Sequence, residues 1–252
     1  MNQTQIRLVD GLSEVTDAFA VAVAGADPQA PVPTCPDWRV RDLVGHIGQA
    51  YRWSAELVRS RAAAPPPDPR DEDPGDPHGW AEWLVASAAD LIGAVTDTGP
   101  ETVVWTFLGE RPAWFWLRRM VADTAVHVAD AAFAAGRPFT IAPDLATGAI
   151  SEGLELISAA EAAALKPDLR ELRGDGQTLL LRPTDAGSGW LITRTPHGVT
   201  WECGTDDADV VVTAPVGDLL LAFSRRMTPD DPRLTLTGDA ALLHHWWTHT
   251  AF

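Results

Sequence analysis

The sequence predicts an α-helical bundle followed by a small α+β domain with a mostly antiparallel sheet. Three observations carry that reading. Up to about residue 165 apolar side chains recur at helical spacing, and from about residue 175 the period shortens to that of strands. Gly and Pro punctuate the segments between them. At 252 residues the chain has room for two domains, expected at 1–165 and 166–252.

Residues 6–25 place Leu8, Leu12, Val15 and Phe19 on one stripe and end at Gly25, a suitable helix stop. Three prolines exclude regular helix from 31–37. Asp37 is then the expected N-cap of a second helix, with Val40, Leu43, Val44, Ile47 and Tyr51 on its apolar face. Six prolines and a cluster of acids make 64–79 an exposed, mobile loop. A third helix is expected at 79–97 with Trp80, Trp83 and Leu84 inward, and a fourth at 113–135 ending at Gly136. A further helix at 143–163 leads to the second half. There, 178–183, 189–195, 198–204 and 208–214 read as strands. A helix over 215–226 with Pro215 in its first turn, a strand at 234–238 and a terminal helix at 239–250 complete the chain.

Composition narrows the function classes. With 35 acidic and 19 basic residues the net charge is −16, which repels phosphate backbones and anionic lipid, so neither nucleic acid nor membrane is an expected partner. Two cysteines, Cys35 and Cys203, are too few for a Cys-rich metal site. No stretch approaches the length of an apolar membrane span, and the N-terminus lacks a basic-then-apolar signal. A cytoplasmic monomer is the expectation.

Chemistry concentrates on two helices. Asp123 and His127 stand at i and i+4, one face of the fourth helix, and His46 lies on the second. If those helices are neighbours, two imidazoles and a carboxylate converge as in an open, catalytic zinc site. A surface Asp–His pair and an unrelated core histidine fit the same spacing.

The residues around these positions resemble a known family. Thr34-Cys35-Pro36-Asp37-Trp38 followed by Val40-Arg41-Asp42-Leu43-Val44-Gly45-His46-Ile47 is similar to the opening motif of the mycothiol-dependent maleylpyruvate isomerase family, within the wider DinB-like group of metal-binding four-helix bundles. Asp123 to Asp130, with Ala135-Gly136-Arg137-Pro138, resembles its helix-four signature. Asp218 to Phe223, Arg225-Arg226 and Leu236-Thr237-Gly238-Asp239 resemble its C-terminal domain, which has a sterol-carrier-like fold. The resemblance implies a divalent metal, usually zinc, on His46, Asp123 and His127. It also implies mycothiol, the low-molecular-weight thiol of actinobacteria, as the thiol cofactor or co-substrate. The ion deprotonates the thiol, which then adds to a small-molecule electrophile. Elimination after rotation about a maleyl double bond gives an isomerase; retention of the thiol gives an S-transferase.

Three positions depart from the family. Asp123 stands where it has Glu, Arg39 where it often has Ser or Thr, and Ser224-Arg225-Arg226 where it favours Trp-Gly-Arg. Arg226 is the expected catalytic and thiol-binding arginine, with Arg225 as a second cofactor-binding candidate. Asp130 fits either a partner that orients an imidazole or a helix cap. His245 and His249, also at i and i+4, lack a third ligand; Cys35 reads as a buried structural thiol, and Ser188 lacks the flanks of a nucleophile elbow. Two other functions remain open: a non-catalytic metal- or small-molecule-binding protein on the same scaffold, and a zinc-dependent hydrolase.

Overall fold

The computed structural model describes residues 2–204 and 207–250. Its contacts divide the chain into two units, Met1–Thr140 and Ile141–Phe252.

The first unit is built on four helices: α1 (Gln3–Val23), α2 (Val40–Ser60), α3 (Trp80–Thr98) and α4 (Trp114–Ala134). α1 packs on α4 and α3, and α2 packs on α3 and α4. The stripe read from the sequence is the core, since Leu12, Phe19, Leu43, Val44, Tyr51, Leu84 and Leu91 are fully buried. α1 begins earlier than expected because Asn2 and Gln5 form a reciprocal capping box. Gly25, at φ 72°, follows the last turn in the left-handed conformation that stops a helix.

The start of α2 differs from expectation. Asp37 is exposed within a strand, and the Asp42 carboxylate accepts the Arg39 N–H at 2.7 Å, so the cap comes from inside the first turn. The proline-rich segment forms a two-stranded hairpin, β1 (Pro31–Val32) and β2 (Cys35–Arg39), anchored by fully buried Val32. A second hairpin, β3 (Val103–Thr106) with β4 (Gly109–Pro112), precedes α4.

The loop 64–79 is exposed along most of its length but pinned at 72–74. Asp73 pairs with Arg41 at 2.7 Å, Glu72 pairs with Arg52, and Pro74 is buried. A Cβ on Gly45 would come 2.3 Å from the Glu72 carbonyl oxygen, so the glycine before His46 permits the loop to lie on α2. Gly48 does the same for the Trp83 ring, 2.1 Å from a virtual Cβ.

The second unit begins before the expected boundary at 165–166. Helix α5 (Pro143–Ser158) belongs to it, because α5 packs on α7 (Val216–Phe223) and on β7 (Gly198–Gly204). α5 also ends short of 163, followed by a short α6 (Ala162–Leu165) and a 3₁₀ segment, Pro167–Leu172. The remaining strands are β5 (Thr178–Pro183), β6 (Gly189–Thr195), β8 (Val210–Ala214) and β9 (Thr235–Gly238). The sheet order is β7-β6-β5-β8-β9, antiparallel except for the β5–β8 pair. Pro215 flanks α7 rather than starting it, and Asp185 accepts the Val216 N–H at 2.7 Å. The terminal helix α8 (Ala240–His249) is capped by Asp239, whose carboxylate accepts from Ala241 and Leu242. No described helix is long and apolar enough to cross a membrane.

Candidate metal centre

α2 and α4 are neighbours, which satisfies the condition for a shared centre. His46, Asp123 and His127 each offer one donor atom, and these atoms lie within 4.8 Å of one another. They are the one group of three or more such side chains among the described residues. His46 Nε2 stands 3.6 Å from Asp123 Oδ2, and the two imidazoles meet edge to face with centroids 5.0 Å apart.

This donor set fits a divalent ion. Metal–donor bonds of ~2.1 Å in a tetrahedron place donors about 3.4 Å apart, near the His46–Asp123 separation. The side chains are 19%, 24% and 12% exposed for His46, Asp123 and His127, so the group is sheltered yet reachable. Burial alone would raise the Asp123 carboxyl, but Arg119 and the two imidazoles outweigh it and hold it far below the usual carboxylate range. Asp123 is therefore an anion ready to ligate. Arg119 Nη2 donates to Oδ1 at 2.9 Å, leaving Oδ2 on the side of His46.

Trp38 walls the group. Its ring meets His46 edge to face at 5.1 Å and stacks on His127 at 6.1 Å. The sequence placed Trp38 in the opening motif without assigning it a contact; the β1–β2 hairpin brings it there. The Arg119 contact did have a signal, the i, i+4 spacing to Asp123. Asp130 is fully buried, and its Oδ2 lies 2.7 Å from His127 Nδ1. Cys35 is half-buried rather than buried, with Sγ 3.8 Å from the same oxygen.

The other sequence candidates belong to the second unit. Arg225 and Arg226 lie on the turn after α7, which ends three residues before the expected 226. Arg225 takes a left-handed φ of 64°, sits 5.6 Å over the Trp247 ring, and its buried Nε and Nη2 find no hydrogen-bond partner among the described residues. Burial holds its pKa below the usual guanidinium value. Arg226 donates through Nη1 to the Ser224 carbonyl at 2.8 Å. His245 and His249 lie with ring centroids 4.6 Å apart and planes tilted by 53°, and His245 Nε2 donates to the Glu171 carbonyl at 2.7 Å, which anchors α8 instead of forming a donor cluster. Ser188 lies in the β5–β6 turn.

Fold and site together define a two-part protein: a helical bundle bearing an N₂O donor group, joined to a small α+β unit. The model described as "Mycothiol maleylpyruvate isomerase N-terminal domain" matches residues 9–132, and that described as "MDMPI C-terminal domain" matches 144–245. The chain belongs to the mycothiol-dependent maleylpyruvate isomerase family. Among solved structures it is similar to the mycothiol-dependent maleylpyruvate isomerase, with 16% identity, 94% of each chain covered and a TM-score of 0.62. A point mutant of that enzyme gives 15% identity with the same coverage and TM-score. At such identity the likeness speaks for the fold. No curated protein sequence matches the chain.

Proposed function

We propose that the protein is a mycothiol-dependent metalloenzyme that adds the thiol to an electrophilic small molecule, either isomerising it or retaining the thiol. The observation that carries this reading is the His46–Asp123–His127 donor group in a chain of this family. A divalent ion held there supplies Lewis acidity that lowers the pKa of a coordinating thiol; zinc suits two imidazoles and a carboxylate.

The protein's own residues do the rest. Arg119 keeps Asp123 ionised and aimed, and Trp38 shields both imidazoles from water on one side. Arg226 is the residue assigned to an anionic group of the thiol or substrate. The left-handed backbone of Arg225 supports that choice: it stands where the family favours glycine, so Arg226 falls on the arginine that follows.

One observation favours the non-catalytic alternative. Asp123 is shorter than the family's Glu, and one of its oxygens is already engaged by Arg119. Product formation from maleyl-type and neutral electrophiles, with mycothiol, cysteine or no thiol, and with zinc or chelator, separates the readings. The enzyme reading expects turnover only with thiol and metal, fastest with mycothiol, whose remote groups add orienting binding energy. Equal rates with all three thiol conditions would point to hydrolysis, and no turnover with retained zinc would leave a binding protein.

A further inference from the structure

Asp130 lies on α4, one turn beyond His127, and its side chain is fully out of solvent. A buried carboxylate is costly unless each oxygen accepts hydrogen bonds. Here Oδ1 accepts from the Thr34 hydroxyl at 2.5 Å, and Oδ2 faces His127 Nδ1 at 2.7 Å with the Cys35 thiol at 3.8 Å. As a carboxylate Asp130 only accepts, and the 2.7 Å contact is then a hydrogen bond in which His127 carries its proton on Nδ1. That leaves Nε2 as the nitrogen with a free lone pair. Thr34 is one of the two turn residues of the β1–β2 hairpin, and the same hairpin carries Trp38 against both imidazoles. One buried carboxylate thus joins the ligand helix to the segment that walls the site.

We propose that Asp130 is the positioning residue of the centre: it selects the Nδ1–H tautomer of His127, presenting Nε2 to the metal, and ties the Trp38 hairpin to the same point through Thr34. The metal half of this statement rests on the metalloenzyme reading; the tautomer half stands without it. A carboxylate placed there only for packing or capping would leave the imidazole free to take either tautomer.

The test uses the full chain, metal-free, at about pH 8, above the ordinary imidazole range. Long-range proton–nitrogen correlation spectra report which ring nitrogen bears the proton, and His127→Gln identifies the His127 signals by their loss. The wild type is expected to show His127 protonated at Nδ1. Asp130→Asn presents an amide that can also donate to Nδ1, so it should yield a mixture or the opposite tautomer. Zinc affinity should then fall by about 10–100-fold. Thr34→Val keeps the carboxylate and should keep the tautomer, while altering Trp38 emission. A wild-type His127 protonated at Nε2 overturns the proposal without any variant. So does Asp130→Asn with both tautomer and zinc affinity unchanged. A wild type that shows the Nδ1–H tautomer yet binds no zinc would uphold Asp130 as the tautomer-selecting residue and sink the metalloenzyme reading instead.

Discussion

Tyr51 is the chain's single tyrosine, fully buried where α1, α2 and α4 meet, and its hydroxyl joins a chain of hydrogen bonds. The Thr16 hydroxyl donates to the Leu12 carbonyl at 2.6 Å, so at 2.9 Å it accepts from Tyr51. With its own proton used, Tyr51 accepts from the Thr124 hydroxyl at 2.7 Å. Tyr51→Phe removes two buried bonds, each worth ~0.5–1.5 kcal/mol net, and leaves Thr124 without that acceptor. The expected loss is about 2 kcal/mol, or roughly 4–8 °C in melting temperature for a chain of this size. Thr124→Val alone should cost less. The double variant should be more stable than the sum predicts, because both changes break the same bond. A Tyr51→Phe variant as stable as the wild type would refute the network. Alkaline titration gives a second view of the same group. Burial pushes the phenol well above its ordinary value despite the threonine bonds. The folded state therefore holds the proton longer than the unfolded one. Its stability contribution is intact below about pH 10 and is lost as pH rises past that point. Phenolate absorbance should appear only together with unfolding; a reversible step near pH 10 in folded protein would contradict the burial.

Three further outcomes follow from the geometry. Gly45→Ala sets a helix-propensity gain of ~1 kcal/mol against overpacking of ~1–3 kcal/mol on the Glu72 carbonyl. It should lower stability and speed proteolysis within 64–79; a more stable protein with an unchanged loop would count against the packing. Asp123→Glu restores the family's ligand and should preserve or tighten zinc binding in dialysis, whereas total loss would show the short carboxylate to be tuned to the Arg119 contact. Arg226→Ala should cut thiol-dependent turnover by about 10–100-fold, the worth of a charge-assisted hydrogen bond, while Arg225→Gly should leave it largely intact. The reverse result would exchange the two assignments.

The helices were legible because burial on one face imposes a 3.6-residue period, and Leu12, Phe19, Leu43 and Leu84 display it. The longer strands were legible as short β-rich runs bounded by Gly, Pro, Asp and Ser; β5 and β8 are buried at most positions, so their apolar residues run on rather than alternate. The hairpins at 31–39 and 103–112 were not, since strands of two to five residues carry too little pattern. α5 reads as an amphipathic helix in either unit; which face it covers is a long-range fact, settled by α7 and β7. Within the site, Asp123 and His127 announced themselves by spacing, and His46 needed α2 to lie beside α4. Trp38 could not be placed, because its contact depends on hairpin register. Asp130 could be named but not assigned, since i+3 from a histidine fits a cap as well as an orienting partner; its burial and its 2.7 Å approach to His127 Nδ1 favour the second.

The metalloenzyme reading requires that His46, Asp123 and His127 hold one ion together. Equilibrium dialysis of metal-free protein against zinc, followed by elemental analysis, tests it directly. About one ion per chain is expected in the wild type and none in His127→Ala, because removal of one of three protein ligands leaves too few donors. A wild type that takes up no zinc, or a His127→Ala variant that keeps it in full, would contradict the account.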